Sequence, residues 1–271
     1  MLPERQSAAG ITYRESGRKD APALVLLHGI GSTSAGWRLQ YGPLGEHFRV
    51  IAWDAPGYGG SAPLAGEAPT VEAYARALAG LLDALGVAQA IVGTNSWGTP
   101  TGVGFARLYL ARVRALVLGG PAAGWGAEPP AERERRAAAR IERVTALGMR
   151  RMREEDAPDL VAPGTRAEVL AWIRSADGLH AAGYAQAARM LAAADVVREI
   201  ASVTCPVRVV SGELDTRTPP ATNAKRIAAA APNAMLQMVP DCGHLPHLEH
   251  PEVFNAAVLQ VLRTLGAPSA A

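Results

Sequence analysis

The chain lacks most of what would mark a secreted, membrane-bound or nucleic-acid-binding protein. It holds two cysteines in 271 residues. Cys205 precedes one apolar run and Cys242 follows another. On parallel neighbouring strands their thiols would stand at opposite ends of a sheet, roughly 15–20 Å apart. A disulfide needs Cα atoms within about 7 Å, so both are expected as buried free thiols. Neither C-x-x-C nor any other metal-ligand spacing occurs, and no metal is expected. No apolar run approaches the ~20 residues that span a bilayer, and the opening MLPERQSAAG has no apolar signal-peptide core. No membrane contact and a cytoplasmic location are therefore expected. The net charge of +2 is too small to point to nucleic acid as the main partner.

What is present is a globular composition, 49% hydrophobic, on a chain long enough for one large α/β domain with an insertion. Short apolar runs end in Gly, Asp or Pro at residues 22–29, 48–57, 88–94, 113–120, 206–215 and 234–241. They are too short for helices and suit strands buried on both faces of a parallel sheet. The alternating stretch 10–17 reads as an edge strand. Amphipathic segments at 70–85, 97–109, 221–231 and 251–265 lie between them, the last opening on Pro251-Glu252. The alternation predicts an α/β fold with a doubly wound, mostly parallel sheet. From 122 to 203 no strand is recognisable, only Ala/Arg-rich helical sequence broken by Pro and Gly, too long for a loop. The expected division is a core of 1–121 and 204–271 with a helical insertion at 122–203. Arg133, Arg135, Arg136, Arg140 and Arg143 alternate with Glu132, Glu134 and Glu142, the pattern of a solvated helix face.

The chemistry concentrates at strand ends. Thr94-Asn95-Ser96-Trp97-Gly98 follows an apolar strand and opens a helix, the setting of a strained strand-to-helix turn that presents a nucleophilic serine. The first small position holds Thr rather than Gly, which adds steric pressure to the turn. The N–H of Trp97 points to the helix start, where an oxyanion is stabilised. His28-Gly29-Ile30-Gly31 ends another strand and brings a second N–H, that of Ile30, to the same place; His28 itself reads as a loop-holding residue. Ser61 has no such turn around it. Asp215 closes the 206–215 strand, and His244 lies in the loop after 234–241. A carboxylate orients an imidazole and stabilises its charged form, and the imidazole takes the serine proton. Glu213 and Asp241 are rival acids, whereas His247 and His250 read as packing or surface residues.

Together LLHGIG, DAPGYGGS, NSWG, SGELDTRTPP and GHLPHLEHPEVFNAAV resemble the α/β-hydrolase superfamily over nearly the whole chain. The resemblance implies Ser96 as nucleophile, His244 as base, Asp215 as acid, and the Ile30 and Trp97 N–H groups as oxyanion hole. It implies that 122–203 caps the site and that no cofactor is needed. The stretch 183–195, GYAQAARMLAAAD, is similar to the cap of 3-oxoadipate enol-lactonases. The core motifs also resemble carboxylesterases, carbon–carbon bond hydrolases and cofactor-free haloperoxidases. The expected partner is a small-molecule ester or lactone, turned over by a monomer or homodimer. Trp125, Met149, Met152, Trp172, Tyr184 and Met190 are candidate pocket residues. A non-catalytic ligand receptor on the same fold is a further alternative.

Overall fold

The structure, a computed structural model, describes residues 2–175 and 177–266. Its strands are β1 (Arg5–Ala8), β2 (Ile11–Ser16), β3 (Ala23–Leu27), β4 (Arg49–Trp53), β5 (Ala90–Asn95), β6 (Val113–Gly119), β7 (Val207–Gly212) and β8 (Ala234–Val239). The helices are α1 (Tyr41–Gly45), α2 (Val71–Ala84), α3 (Gly98–Leu108), α4 (Pro130–Asp156), α5 (Ala167–Arg174), α6 (Ala181–Ala193), α7 (Val196–Ile200), α8 (Ala224–Ala230), α9 (Pro246–Glu249) and α10 (Pro251–Thr264). All strands join one sheet in the order β1-β2-β4-β3-β5-β6-β7-β8. Only the β1–β2 and β2–β4 pairings are antiparallel. The chain runs outward from β3 to β4, then crosses back over β3 to β5. That reversal leaves a crevice at the C-terminal ends of β3 and β5, where ligands bind in open α/β sheets.

The apolar runs are buried as their composition requires. One face of the sheet packs under α2 and α3 through Tyr74, Leu78, Val103 and Phe105. The other packs under α1 and α10 through Leu44, Phe254 and Val258. Each large side chain so buried contributes about 1.5–3 kcal/mol. Thr70 starts α2 by accepting the Ala73 N–H through its hydroxyl at 3.3 Å.

Two strands differ from expectation. The stretch 10–17 is not the edge: β1 pairs outside β2 through the tight turn at Ala9 and Gly10, whose φ values are 49° and 75°. At the other end, β8 is itself an edge, and its apolar sequence leaves Met235 60% exposed rather than buried on both faces.

The described residues of 122–203 carry α4 to α7 joined by loops, and the chain leaves and re-enters this segment along paired stretches of backbone. Gly126 N–H donates to Ala194 O at 2.7 Å and Val196 N–H to Ala123 O at 2.9 Å. A Cβ on Gly124 would lie 2.1 Å from Ala194 O, so only glycine fits that crossing. Helix α4 breaks at Gly148, which takes φ 72° and ψ 160°. Helices α4 and α6 pack on each other, whereas α7 packs against α3 and α8. Cys205 and Cys242 are buried and unpaired.

Candidate active site

Ser96 occupies a turn that few residues tolerate. Its φ is 51°, in the left-handed region, between the end of β5 and the start of α3. Non-glycine residues seldom adopt this conformation unless their surroundings enforce it. Those surroundings are specific. A Cβ on Gly98 would fall 2.4 Å from Leu27 O, so β3 and α3 touch through a glycine. The bulk of Thr94 is received on the helix side: a Cβ on Gly102 would lie 2.7 Å from Thr94 Cγ2. The Thr94 hydroxyl pairs with that of Thr99 at 3.0 Å. The missing glycine in the strand is thus compensated by a glycine in the helix.

The loops after β7 and β8 bring Asp215 and His244 together. His244 Nδ1 lies 2.9 Å from Asp215 Oδ2. Asp215 also accepts the N–H groups of Arg217 and Thr218, each at 2.9 Å, and the Thr218 hydroxyl at 2.7 Å. Burial by itself would raise the Asp215 carboxyl. Attraction to His244 and these donated hydrogens outweigh it and hold the group below its ordinary value. The rival acids Glu213 and Asp241 are exposed.

His28 stays out of the cavity that Ser96 lines and holds the loop after β3. Its Nε2 accepts the Ala55 N–H at 3.0 Å, which leaves Nδ1 to donate to Gly29 O at 2.8 Å. Burial lowers its pKa, which keeps the ring neutral. Gly29 O belongs to the peptide whose N–H is on Ile30, so this bond orients that donor. The Tyr58 hydroxyl donates to Ile30 O at 2.9 Å. Trp97 starts α3 and ties its indole N–H to Ala187 O of α6 at 3.0 Å. Ser61 is engaged elsewhere, donating to Asp54 O at 2.6 Å.

Ser96 and His244 line two adjoining lobes of a cavity, of about 300 and about 470 Å³. Ile30, Gly31, Arg153 and Leu160 line both lobes as well. Trp172 borders the smaller lobe; Trp125, Met152 and Tyr184 border the larger. Met190 does not reach the cavity, because that face of α6 is buried in the main core. Met149 follows the break at Gly148 and packs beside Val144, Met152 and Tyr184. Arg136 and Arg140 were expected on a solvated face. They instead stack on Trp125, at 5.3 and 5.2 Å from its ring centre, and border the larger lobe.

Residues 24–257 match the family model described as "Alpha/beta hydrolase family". The chain belongs to this family. It is 30% identical to a 2-hydroxy-6-oxononadienedioate/2-hydroxy-6-oxononatrienedioate hydrolase of Pseudomonas putida, over 93% of this chain and 91% of that protein. It is 27% identical to 3-oxoadipate enol-lactonase 1 of Acinetobacter baylyi, over 94% and 93% of the two chains. Among solved structures, a thermophilic esterase from Thermogutta terrifontis superposes with a TM-score of 0.81 and 29% identity, covering 98% of each chain.

Three residues of this α/β hydrolase were not singled out by the sequence reading. Asn95 donates its amide to Gly119 O at 3.1 Å and to His244 O at 3.3 Å, joining the serine turn to the histidine loop. Glu249 accepts the N–H groups on both sides of His244, from Gly243 at 2.9 Å and Leu245 at 3.0 Å. The same carboxylate accepts the Ala162 N–H at 2.7 Å and the Thr165 hydroxyl at 3.1 Å. It therefore ties the inserted segment to the histidine loop. Arg153 is the third, a buried guanidinium on the cavity wall. Its only sequence signal was membership in an Arg-rich helix.

Proposed function

We propose that this α/β hydrolase cleaves a carboxylic ester or lactone of a small organic substrate through an acyl-enzyme. The observation that carries this reading is the strained Ser96 facing a cavity shared with His244, whose far nitrogen is bonded to Asp215. In this mechanism His244 takes the Ser96 proton as Oγ attacks the carbonyl. The Ile30 and Trp97 N–H groups receive the oxyanion, each such donor lowering the barrier by about 3 kcal/mol. His244 then protonates the leaving alcohol, and water, activated by the same ring, releases the acid. Asp215 keeps the ring oriented and balances its charge. No metal or organic cofactor takes part, and helices of 122–203 serve as a cap that selects the substrate.

The P. putida relative favours a second reading on the same residues. A 2-hydroxy-6-oxo dienedioate has no ester, so its hydrolysis breaks a carbon–carbon bond beside the ketone. The test is a screen of p-nitrophenyl esters, aliphatic lactones and a vinylogous diketone against the wild type and Ser96→Ala. Ester or lactone turnover, lost with fluorophosphonate labelling in Ser96→Ala, supports the first reading. Turnover of the diketone alone selects the second. Labelling that persists in Ser96→Ala refutes both.

A further inference from the structure

Acyl transfer as described gives Arg153 no task, yet its placement is demanding. The side chain is 6% exposed and stands where the two lobes meet, on the same wall as Ser96 and His244. Its Nη2 donates to the Ile173 carbonyl. Nε is buried without a hydrogen-bond partner among the described residues. Asp156, whose charge it feels, is already bonded to Arg143 at 2.5 Å and Arg217 at 2.9 Å. Burial draws the guanidinium down to about 10, which still leaves it protonated at neutral pH. A buried cation whose attracting acid is already engaged by two other arginines is poorly compensated, and an apolar side chain would pack the same space without that penalty.

The position also fits the chemistry next to it. A Cβ on Gly31 would lie 3.3 Å from Arg153 Nη1, so the guanidinium abuts the loop that carries the Ile30 N–H. Arg153 and Ser96 line the same two lobes, so an anion on the guanidinium and a carbonyl at Ser96 can belong to one substrate. Arg140 and Arg226 border the larger lobe, and neither forms an ion pair among the described residues. The acids that border the same lobe, Glu128 and Asp156, are already bonded to arginines, Glu128 to Arg136 and Asp156 to Arg143 and Arg217, so the lining keeps an excess of positive charge that favours an anion. One buried cation balances one charge, which fits a carboxylate better than a phosphate dianion.

We infer that Arg153 binds a free carboxylate of the substrate, so that the ester or lactone is a half-ester or lactone of a dicarboxylic acid. This rests on the acyl-transfer reading. The test compares p-nitrophenyl hydrogen glutarate with its neutral methyl ester. The wild type should prefer the charged substrate in kcat/KM. Arg153→Gln should lose about 10- to 100-fold on it with little change on the neutral one, and Arg153→Lys should recover part of the loss. Absence of any preference in the wild type, or an equal loss on both substrates in Arg153→Gln, would overturn the assignment.

Titrating glutarate into the Ser96→Ala protein separates the two readings. Saturable binding that disappears in Ser96→Ala/Arg153→Gln supports the carboxylate site even if neither ester is cleaved, in which case only acyl transfer fails. Ester turnover without glutarate binding overturns the carboxylate site alone. Should Arg153→Gln fail to fold, Arg153→Lys takes its place in both assays: a loss confined to the charged substrate, with weakened glutarate binding in Ser96→Ala/Arg153→Lys, supports the assignment, and an equal loss on both substrates overturns it.

Discussion

Acidification should destabilise this hydrolase through His247, a residue with no part in the proposed chemistry. Its ring lies 4.5 Å from that of Trp37 and 6.1 Å from that of Phe254, centre to centre. Its Nδ1 is buried without a hydrogen-bond partner among the described residues. Burial, with a smaller contribution from charge on His244, lowers its pKa from 6.5 to about 3. The folded value lies below the unfolded one, so the unfolded chain takes the proton first. Stability is then complete above about pH 6.5 and drains away as the pH falls towards 3. At pH 5 the gap to 6.5 is 1.5 pH units, and at 1.36 kcal/mol per unit the loss is about 2 kcal/mol. His247→Phe removes the titration while keeping a ring between Trp37 and Phe254, and it sacrifices no bond at Nδ1. Thermal melts of both proteins at pH 7 and pH 5 give the comparison. The wild type should fall further by about 4–8 °C, from ~2–4 °C per kcal/mol in a chain of this size. His28 and the carboxylates titrate in both proteins and cancel. Equal falls would show that the His247 environment accepts a proton and that this reasoning is wrong.

Two further substitutions probe the proposed acid and the carboxylate that holds the His244 loop. Asp215→Asn should preserve the fold while lowering kcat by roughly 10⁴-fold, because the ring loses both its orientation and its balancing charge; a larger loss in Asp241→Asn would reassign the acid. Glu249→Gln places an amide against backbone N–H donors and should shift the His244 loop, lowering kcat by about 10- to 100-fold with KM little altered. A lower melting temperature with unchanged kcat would make Glu249 a purely structural residue.

What could be read before the structure follows from how local each signal is. A buried parallel strand announces itself by an unbroken apolar run, and a glycine or acid at its end marks where it stops. That is why β3 to β7, and the residues at their C-terminal ends, were legible. Burial on the outside of the sheet was not, since the sequence of β8 reads the same whether or not a ninth strand lies beside it. The four residues of β1 are too few and too polar to show a period. The helices of 122–203 posed a different difficulty. Their amphipathic pattern says that one face is buried but not against what, so Met190 and Met149 could not be told from Met152, nor Arg136 and Arg140 from solvated neighbours. Asn95, Glu249 and Arg153 act through contacts with groups brought close by the fold, and no spacing along the chain encodes such contacts.

The inserted helices belong to the frame of the site rather than lying over it as a separable cover. Trp97 joins α6 through its indole and carries one proposed oxyanion donor on its backbone. Glu249 bonds the inserted segment at Ala162 and Thr165 and, with the same carboxylate, both neighbours of His244. A displacement of these helices would therefore strain the serine turn and the histidine loop together. The break at Gly148 belongs to the same frame. Its φ of 72° is one that side chains rarely adopt, although the space around it is open. Beyond the break, α4 carries Met152 and Arg153 to the cavity. A residue with a Cβ at 148 would press the helix to straighten and redirect both side chains. The conformation of one glycine, far from Ser96 in sequence, thus helps set the charge of the cavity that Ser96 lines.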